Sequence, residues 1–293
     1  MYVKQINKFR ISVNKNGVYT VTFPNGVKVY RTDKLEKAIQ FVKLSCKKRA
    51  DVNKKEYRAT KIANGKAEND SSIAVRNKML NCNETLLFHG SNGGIQCDIK
   101  CDVNKGLCDF GNGFYTGNDL RQAENRVANV AYPIVYAFRA DTKGLSVYEF
   151  KNAVTWALYV GYNRGKFGNT LDRYPKLVKL VEEISRHDVI IGWIADDKVA
   201  KCFNDFLNNN INSRALADSL KCVSYGKQVV FKTDKACKRL DIVGEYKVTT
   251  AIREQSTEWN RGVKENMDAK LEEIKLKHLG EGGFLSQIME EFK

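Results

Sequence analysis

The sequence is short of proline, of histidine and of long hydrophobic runs. Only three prolines and three histidines occur in 293 residues, so neither a proline-rich disordered chain nor a histidine-based metal site is favoured. No apolar stretch approaches the roughly 20 residues of a membrane-spanning helix. The first ten residues also lack the apolar core of a signal peptide. We therefore expect a cytoplasmic protein without membrane contact, built as one large domain or two small ones.

The eight cysteines are too dispersed for a disulfide framework in a chain of this length. Cys97, Cys101 and Cys108 form one cluster, but it lacks the closely paired cysteines with which most zinc sites begin. We expect reduced thiols and no metal, with a zinc site as the weaker alternative.

Acidic residues are scarce in the first third of the chain. Residues 1–82 hold 19 Lys and Arg against 6 Asp and Glu, a balance of +13, whereas residues 83–293 hold 30 against 28, or +2. Such a field attracts polyanions. A nucleic-acid partner, RNA or DNA, is the preferred interpretation, and an acidic regulatory protein or a solubilising surface are the alternatives. The predicted nucleic-acid contacts are Lys47, Lys48, Arg49, Lys54 and Lys55.

Residues 1–50 are predicted to form a basic module of a three-stranded sheet and one helix. Three runs of alternating apolar and polar residues lie between Arg10 and Arg31, separated by turns that contain Gly17 and Gly26. The helix is expected from about Asp33, capped by Thr32 or Asp33, with an apolar stripe of Ala38, Ile39, Phe41, Val42 and Cys46. Several nucleic-acid-binding units share this architecture. Residues 51–82 are predicted as a polar linker with a short helix near 73–80.

The pattern changes at Thr85, where short apolar strands begin to alternate with helical segments. This alternation predicts an α+β domain with a largely antiparallel or split sheet over residues 83–245. From 246 to 293, apolar residues recur at helical spacing until the glycines at 280–283. We expect these amphipathic helices to pack on their own domain, with docking to a partner as the alternative.

Three short motifs suggest chemistry. They are Phe88-His-Gly-Ser91, then Asp109-Phe-Gly-Asn-Gly-Phe-Tyr-Thr116, and finally Tyr225-Gly-Lys-Gln-Val-Val-Phe-Lys232. Each is weak alone, because a histidine beside a strand is usually structural and a glycine pair is usual in turns. Their value lies in their order and separation.

Together the motifs resemble the His–Tyr–Glu class of ADP-ribosyltransferases, which includes diphtheria toxin and the poly(ADP-ribose) polymerases. The segments Val147–Phe150, Asp188–Asp197 and Gln228–Ala236 resemble a bacterial branch catalogued as domain of unknown function 3990. The resemblance covers residues 83–243. It implies split antiparallel sheets around a cleft for NAD, which is consumed as a substrate without a metal.

The resemblance also implies roles for individual residues. His89 would bond a ribose hydroxyl, Gly90 would offer its backbone to the nicotinamide amide, and Tyr115 would supply a stacking ring. Arg126 would meet the pyrophosphate. The implied NAD-binding set is His89, Gly90, Ser91, Gly113, Tyr115 and Arg126, with Asn92 as a further helper.

The expected catalytic glutamate is absent. Gln228 is the best match to its position, which gives the catalytic set His89, Tyr115 and Gln228; a one-residue slip would place Lys227 there. Ala123 and Arg126 stand where some relatives carry a hydroxyl and a second stacking ring. These changes favour transfer of a single unit over polymer formation. Asp109, Glu149 and Asp196 are candidates for a replacement carboxylate, although a structural role is the simpler interpretation of each.

The preferred function is a mono-ADP-ribosyltransferase that modifies nucleic acid, acting as a toxin or antiphage-defence effector that an acidic antitoxin would restrain. One alternative keeps the enzyme and changes the acceptor to a protein side chain. The other is a degenerate domain that binds NAD or nucleic acid without turnover. A metal-dependent nuclease built on Asp196 and Asp197 lacks further carboxylates at suitable spacing.

Overall fold

The computed structural model describes residues 2–6, 9–22, 28–43, 65–96, 98–102, 107–195, 197–223, 226–265 and 267–293. Its strands form a four-stranded sheet and a seven-stranded sheet, and helices cover faces of both. The predicted α+β class is therefore confirmed. In the described ranges, no helix has the length and hydrophobicity required to cross a membrane.

The N-terminal sheet has four strands where three were predicted. They are β1 (Tyr2–Ile6), β2 (Phe9–Val13), β3 (Tyr19–Thr22) and β4 (Lys28–Thr32), and each pairs antiparallel with the next. The extra strand is β1, whose polar residues do not alternate with apolar ones as those of β2 and β3 do. It pairs with β2 from Ile6 opposite Phe9 to Tyr2 opposite Ser12.

One face of this sheet is covered by helix α1, which occupies residues 35–43. The backbone N–H of Lys34 donates to the Thr32 hydroxyl at 3.2 Å, in agreement with the predicted N-terminal signal. Ala38 and Val42 are fully buried against Ile11 and Val21. Cys46, the last member of the predicted stripe, lies outside the described residues.

The second half of the predicted linker is a 16-residue helix, α2 (Gly65–Leu80). Residues 51–64 lie outside the described ranges. Polar contacts hold α2 to the larger domain: Lys247 pairs with Glu68 at 2.6 Å, and the Thr249 hydroxyl bonds the Asn69 side chain at 2.5 Å. Because α2 has no regular apolar stripe, the sequence predicted only its last eight residues as helix.

The large sheet comprises β5 (Leu87–Asn92), β6 (Phe114–Gly117), β7 (Pro133–Ala140), β8 (Val147–Glu149), β9 (Val189–Trp193), β10 (Lys227–Phe231) and β11 (Leu240–Lys247). Their order is β11-β7-β5-β6-β10-β9-β8. All neighbours are antiparallel except β8 and β9. The split into separate sheets predicted by the resemblance is not seen, because all seven strands form one sheet, in which a single residue pair joins β5 to β6.

Among the described residues, seven helical segments lie between strands of this sheet along the chain: α3 (Leu120–Arg126), α4 (Ala153–Asn163), a 3-10 turn (Gly168–Arg173), α5 (Pro175–Ser185), α6 (Asp197–Leu207), α7 (Ser213–Val223) and α8 (Asp234–Cys237). The largest core packs α4, α6 and α7 on the sheet through fully buried Trp156, Tyr159, Phe203 and Val230. Val230 belongs to β10, so these helices pack directly on the strand that pairs with β6.

The C-terminal segment folds back on the large domain. It forms α9 (Thr250–Glu265), α10 (Met267–Lys277) and α11 (Leu285–Glu290). Ile252 is buried beside β5 and α3, and Met267, Leu271 and Met289 join the core formed with α6 and α7. The expected packing on the same chain is therefore confirmed, and helices from both sides of the predicted 83–245 boundaries contribute to this unit.

Candidate functional site

The sheet opens between β5 and β6. These strands pair only at Phe88 and Gly117, whereas β5 pairs with β7 along its whole length from Leu87 to Asn92. Beyond Phe88 the two strands separate, and the His89 side chain bridges them: its Nδ1 lies 2.7 Å from the carbonyl oxygen of Tyr115. The first two motifs therefore meet at this opening.

The protonation state of His89 follows from this geometry. A carbonyl oxygen only accepts hydrogen bonds, so Nδ1 carries the proton and donates it to Tyr115. Burial lowers the pKa of His89 below its usual 6.5, the hydrogen bond to Tyr115 partly opposes this, and the nearby Arg126 charge lowers it further. The ring is therefore neutral at pH 7, with Nε2 as a hydrogen-bond acceptor.

Tyr115 is held by the glycine-containing turn that precedes it. Its hydroxyl donates to the carbonyl of Gly111 at 2.6 Å and accepts from the backbone N–H of Phe110 at 2.9 Å. Burial raises the pKa of the phenol. Successive side chains of a strand point to opposite faces, and Phe114 packs against the His89 ring with 4.6 Å between centroids. The Tyr115 ring therefore lies on the other face, and His89 reaches this residue through its backbone.

Gly90 and Gly113 are required by packing. A Cβ at Gly90 would lie 2.4 Å from the Ala123 carbonyl oxygen, because α3 crosses directly over β5. A Cβ at Gly113 would lie 2.4 Å from Val230 on β10. Packing therefore explains why glycine occupies both positions. Contact of either glycine with a ligand stays a prediction.

The remaining predicted NAD-binding residues surround the opening. Ser91 and Asn92 end β5, where Asn92 accepts a hydrogen bond from the backbone N–H of Tyr132 at 3.2 Å. Arg126 is exposed at the end of α3. It acts electrostatically on His89 and on Asp109, so it lies near both of the first two motifs.

Gln228 lies in register with the first two motifs. It pairs with Gly117 of β6, which in turn pairs with Phe88 of β5, so the three residues form one row across three strands. Among the described residues, its buried Oε1 has no hydrogen-bond partner. An unpaired buried carbonyl is costly, and the atom is an acceptor that a ligand hydroxyl would satisfy.

Lys227 does not share the environment of Gln228. Its ammonium bonds Glu149 and lies 5.8 Å from the centre of the Trp193 ring. Strand alternation places its side chain on the opposite face from Gln228. The slipped assignment would therefore put an ion-paired cation at the catalytic position, in place of a buried acceptor that has no partner among the described residues.

The two described candidates for a replacement carboxylate are both ion-paired. Lys151 and Lys227 lower the pKa of Glu149, which lies on β8, separated from β10 by β9. Asp109 pairs with Arg164 at 2.6 Å; burial raises its pKa and Arg164 opposes the rise. Asp196 lies outside the described residues, as do the predicted nucleic-acid contacts Lys47, Lys48, Arg49, Lys54 and Lys55.

Sequence reasoning missed a buried carboxylate at the centre of the domain. Glu124 of α3 is completely buried. It receives hydrogen bonds from Arg76 Nε at 2.5 Å and Nη2 at 3.1 Å, from the Tyr246 hydroxyl at 2.5 Å and from the Ser256 hydroxyl at 2.6 Å. The network ties α2, β11 and α9 to the helix that packs on Gly90. Its members are distant in sequence, so no local pattern predicts it.

A cavity of about 490 Å³ lies on the helical side of the same region. Its wall includes Phe88, Leu120 and Trp259, with the Arg121 guanidinium 5.0 Å from the Trp259 ring centre. Of the described residues, those that line it include none of the predicted site residues. The cavity is therefore a separate feature beside β5.

Metal chemistry has no visible basis in the described ranges. No group of three or more His, Cys, Asp or Glu side chains there is arranged to hold a metal ion. Cys101 and Cys108 are free thiols, and Cys97 lies outside the described residues.

Comparison with known proteins gives one match. The model of a family described as "Protein of unknown function (DUF3990)" matches residues 85–242, which is more than half of the chain and includes all three motifs. No curated protein and no solved structure matches.

Proposed function

The chain belongs to the family of proteins of unknown function DUF3990, and from this premise we propose that it is an NAD-dependent mono-ADP-ribosyltransferase that modifies nucleic acid. The observation that carries the proposal is the convergence of three motifs that are far apart in sequence. His89 and the backbone of Tyr115 meet at 2.7 Å, and Gln228 is in register with Gly117, two residues after Tyr115. All three lie where the sheet opens.

The state of His89 suits a role in binding ribose. Its neutral ring presents Nε2 as an acceptor, and a ribose hydroxyl is the donor that this atom requires. The bond from Nδ1 to Tyr115 fixes the ring orientation without a second side chain. This pre-organisation removes part of the entropy cost of positioning the sugar.

Gln228 can perform part of the role of the expected catalytic glutamate, which is to stabilise the cationic sugar. In the proposed reaction the bond between the nicotinamide nitrogen and ribose C1′ breaks, and the electron pair leaves with neutral nicotinamide. An acceptor nucleophile bonds C1′ and loses a proton to solvent. The Gln228 Oε1 would accept from the ribose 2′-hydroxyl and so stabilise the cationic sugar, although it supplies no full negative charge.

Tyr115 stays the proposed stacking residue, with an immobile ring that lies on the face of β6 opposite the His89 ring. Two hydrogen bonds to the preceding turn hold the hydroxyl, so little side-chain entropy is left to lose on binding an aromatic ligand. With a neutral Gln228 and both described carboxylates paired, we propose transfer of single units to one acceptor. The role as a toxin or antiphage effector rests on the resemblance alone.

The test is transfer of label from adenylate-labelled NAD to total RNA, DNA and protein by the full chain. We expect label on nucleic acid with the wild type and none with His89→Ala. The matched control is His187→Ala, which removes a histidine whose Nδ1 also meets a backbone carbonyl, that of Ile184 at 3.0 Å, away from the opening. Label on protein would support transferase activity but would show that the acceptor is protein and not nucleic acid. Equal labelling by wild type and His89→Ala would reject the proposed site.

A second candidate follows from the pairing of the carboxylates. Asp109 and Glu149 are both paired with basic side chains, so neither is free to replace the missing glutamate. The domain would then bind NAD or nucleic acid without turnover. Binding of NAD without release of nicotinamide would select this candidate over the transferase.

A further inference from the structure

The small N-terminal sheet has one covered face and one open face. Phe9, Ile11 and Val21 are buried under α1, and Tyr30 stacks on Phe41 of that helix with 4.4 Å between ring centres. Residues that alternate with these apolar ones project from the other side of the sheet.

The open face carries two rows of polar side chains. Strand register places Arg10 opposite Thr22 and Thr22 opposite Lys28. A second row runs from Ser12 through Thr20 to Arg31. The three basic residues are exposed, and the described ion pairs include none of them. Each row therefore combines hydroxyls with one or two cations.

The N-terminal module contains many more basic than acidic residues. Residues 1–43 contain nine Lys and Arg but only Asp33 and Glu36 as acids, and both acids follow the last strand. The described part of the open face thus has no carboxylate to repel a phosphate. Arginine, lysine and hydroxyl side chains are the groups that proteins use to contact phosphates and base edges.

We propose that this open face binds double-stranded DNA, with β2 and β3 directed into the major groove. Neighbouring strands lie about 5 Å apart, and the B-form major groove, about 12 Å wide, admits a two-stranded β-ribbon. The corresponding groove of A-form RNA is too narrow for side chains to read. The face therefore fits a DNA duplex.

The aromatic residues argue against a single-stranded ligand. Proteins that bind single strands stack bases on exposed aromatic rings. The described rings of this module, Phe9, Tyr19, Tyr30 and Phe41, belong to the core beneath α1. Arg10 and Arg31 instead offer forked donors that match guanine edges and phosphates.

DNA binding by the open face does not depend on the proposed transferase activity. Binding at this sheet requires no NAD and none of the residues at the β5–β6 opening. It also identifies a surface different from the segment Lys47–Lys55, for which the sequence alone predicted nucleic-acid contacts.

The test is fluorescence anisotropy of the full chain, without NAD, using a labelled 20-base-pair DNA duplex of mixed sequence, its single strand and the matching RNA duplex. Arg10→Ala/Arg31→Ala removes two charges from the open face. We expect the variant to lose about tenfold or more in affinity and about two units of the salt-dependence slope. Lys34→Ala/Lys37→Ala is the control, because it removes two exposed charges beyond β4 and should change affinity by less than about threefold.

A second variant distinguishes a loss of binding from a loss of folding. Thr20→Glu introduces a negative charge between Ser12 and Arg31 and should reduce duplex binding as strongly, while circular dichroism and the melting temperature stay those of the wild type. Unchanged binding by both open-face variants, or equal loss in the Lys34/Lys37 control, would overturn the proposal. Tighter binding of single-stranded DNA or of the RNA duplex would overturn it as well.

Discussion

The imidazole Nδ1 of His89 lies 2.7 Å from the carbonyl oxygen of Tyr115, across the gap where β5 and β6 separate. The two residues are 26 positions apart in the chain. Their contact replaces the backbone pairing that the strands lose after Phe88. It also sets the tautomer, so that Nε2 is left as an acceptor at neutral pH.

We predict that the pKa of His89 lies below 6.5 and that Arg126→Gln raises it. Burial is the main cause of the lowered pKa, and the Arg126 charge adds to it. With only three histidines in the chain, the His89 ring is assignable by NMR. If ligand binding needs neutral His89, affinity falls as pH drops through its pKa, and Arg126→Gln moves that fall to higher pH. An unchanged His89 titration in the variant would refute the role given to Arg126.

The buried Glu124 network predicts a large loss of stability on substitution. Glu124→Ala leaves the guanidinium of Arg76 without its partner in a largely buried position, and we expect the free energy of unfolding to fall by about 3–5 kcal/mol. Glu258→Ala is the control, since the Glu258–Arg261 pair is exposed on both sides and should contribute under about 1 kcal/mol. Urea denaturation measures both. Similar losses for the two variants would contradict the assignment.

The substitution Gly90→Ala tests how closely α3 packs on β5. In Gly90→Ala the new methyl would meet the Ala123 carbonyl at 2.4 Å, so α3 must shift at a cost of about 1–3 kcal/mol. Gly117→Ala is matched, because its methyl would make only ordinary contacts, the nearest at 3.4 Å. Thermal unfolding of the two variants should separate them clearly. If Gly117→Ala is the more damaging, the close approach of α3 does not limit stability.

The buried position of Lys232 leads us to predict that its contribution to stability depends on pH. Its ammonium bonds the Phe110 carbonyl, and burial lowers its pKa from 10.5 to about 8. Between these values Lys232 binds more protons in the unfolded chain than in the native one, so its contribution to stability should rise with pH in this window and level off on either side. Relative to Lys232→Met the rise should reach roughly 3 kcal/mol. A constant difference between the two proteins from pH 7 to 11 would contradict the lowered pKa.

The sequence was informative where structure depends on local patterns. Alternation predicted β2, β3 and β4, and the order of the motifs predicted that His89 and Tyr115 lie close together. It was uninformative where structure depends on distant polar contacts. Arg76, Tyr246 and Ser256 lie 48, 122 and 132 positions from Glu124, and each is unremarkable among its own neighbours. For the same reason the first half of α2, which contacts with Lys247 and Thr249 hold in place, was not predicted as helix.

The opposite faces of His89 and Tyr115 also could not be predicted. Motif spacing gives the order of residues but not the strand alternation relative to the opening. The row of Phe88, Gly117 and Gln228 depends on a register between β6 and β10, strands separated by about 110 residues. Such a register is set by packing across the sheet, through contacts such as Val230 on Gly113.

The most direct test of the central claim is nicotinamide release from NAD by the purified full chain, followed by chromatography. We predict release by the wild type and by His187→Ala, at least a hundredfold less with His89→Ala (about the loss of one key transition-state contact), and faster release with Gln228→Glu, which restores a carboxylate beside the ribose. Release that is undetectable in every protein, or equal in wild type and His89→Ala, would contradict the account.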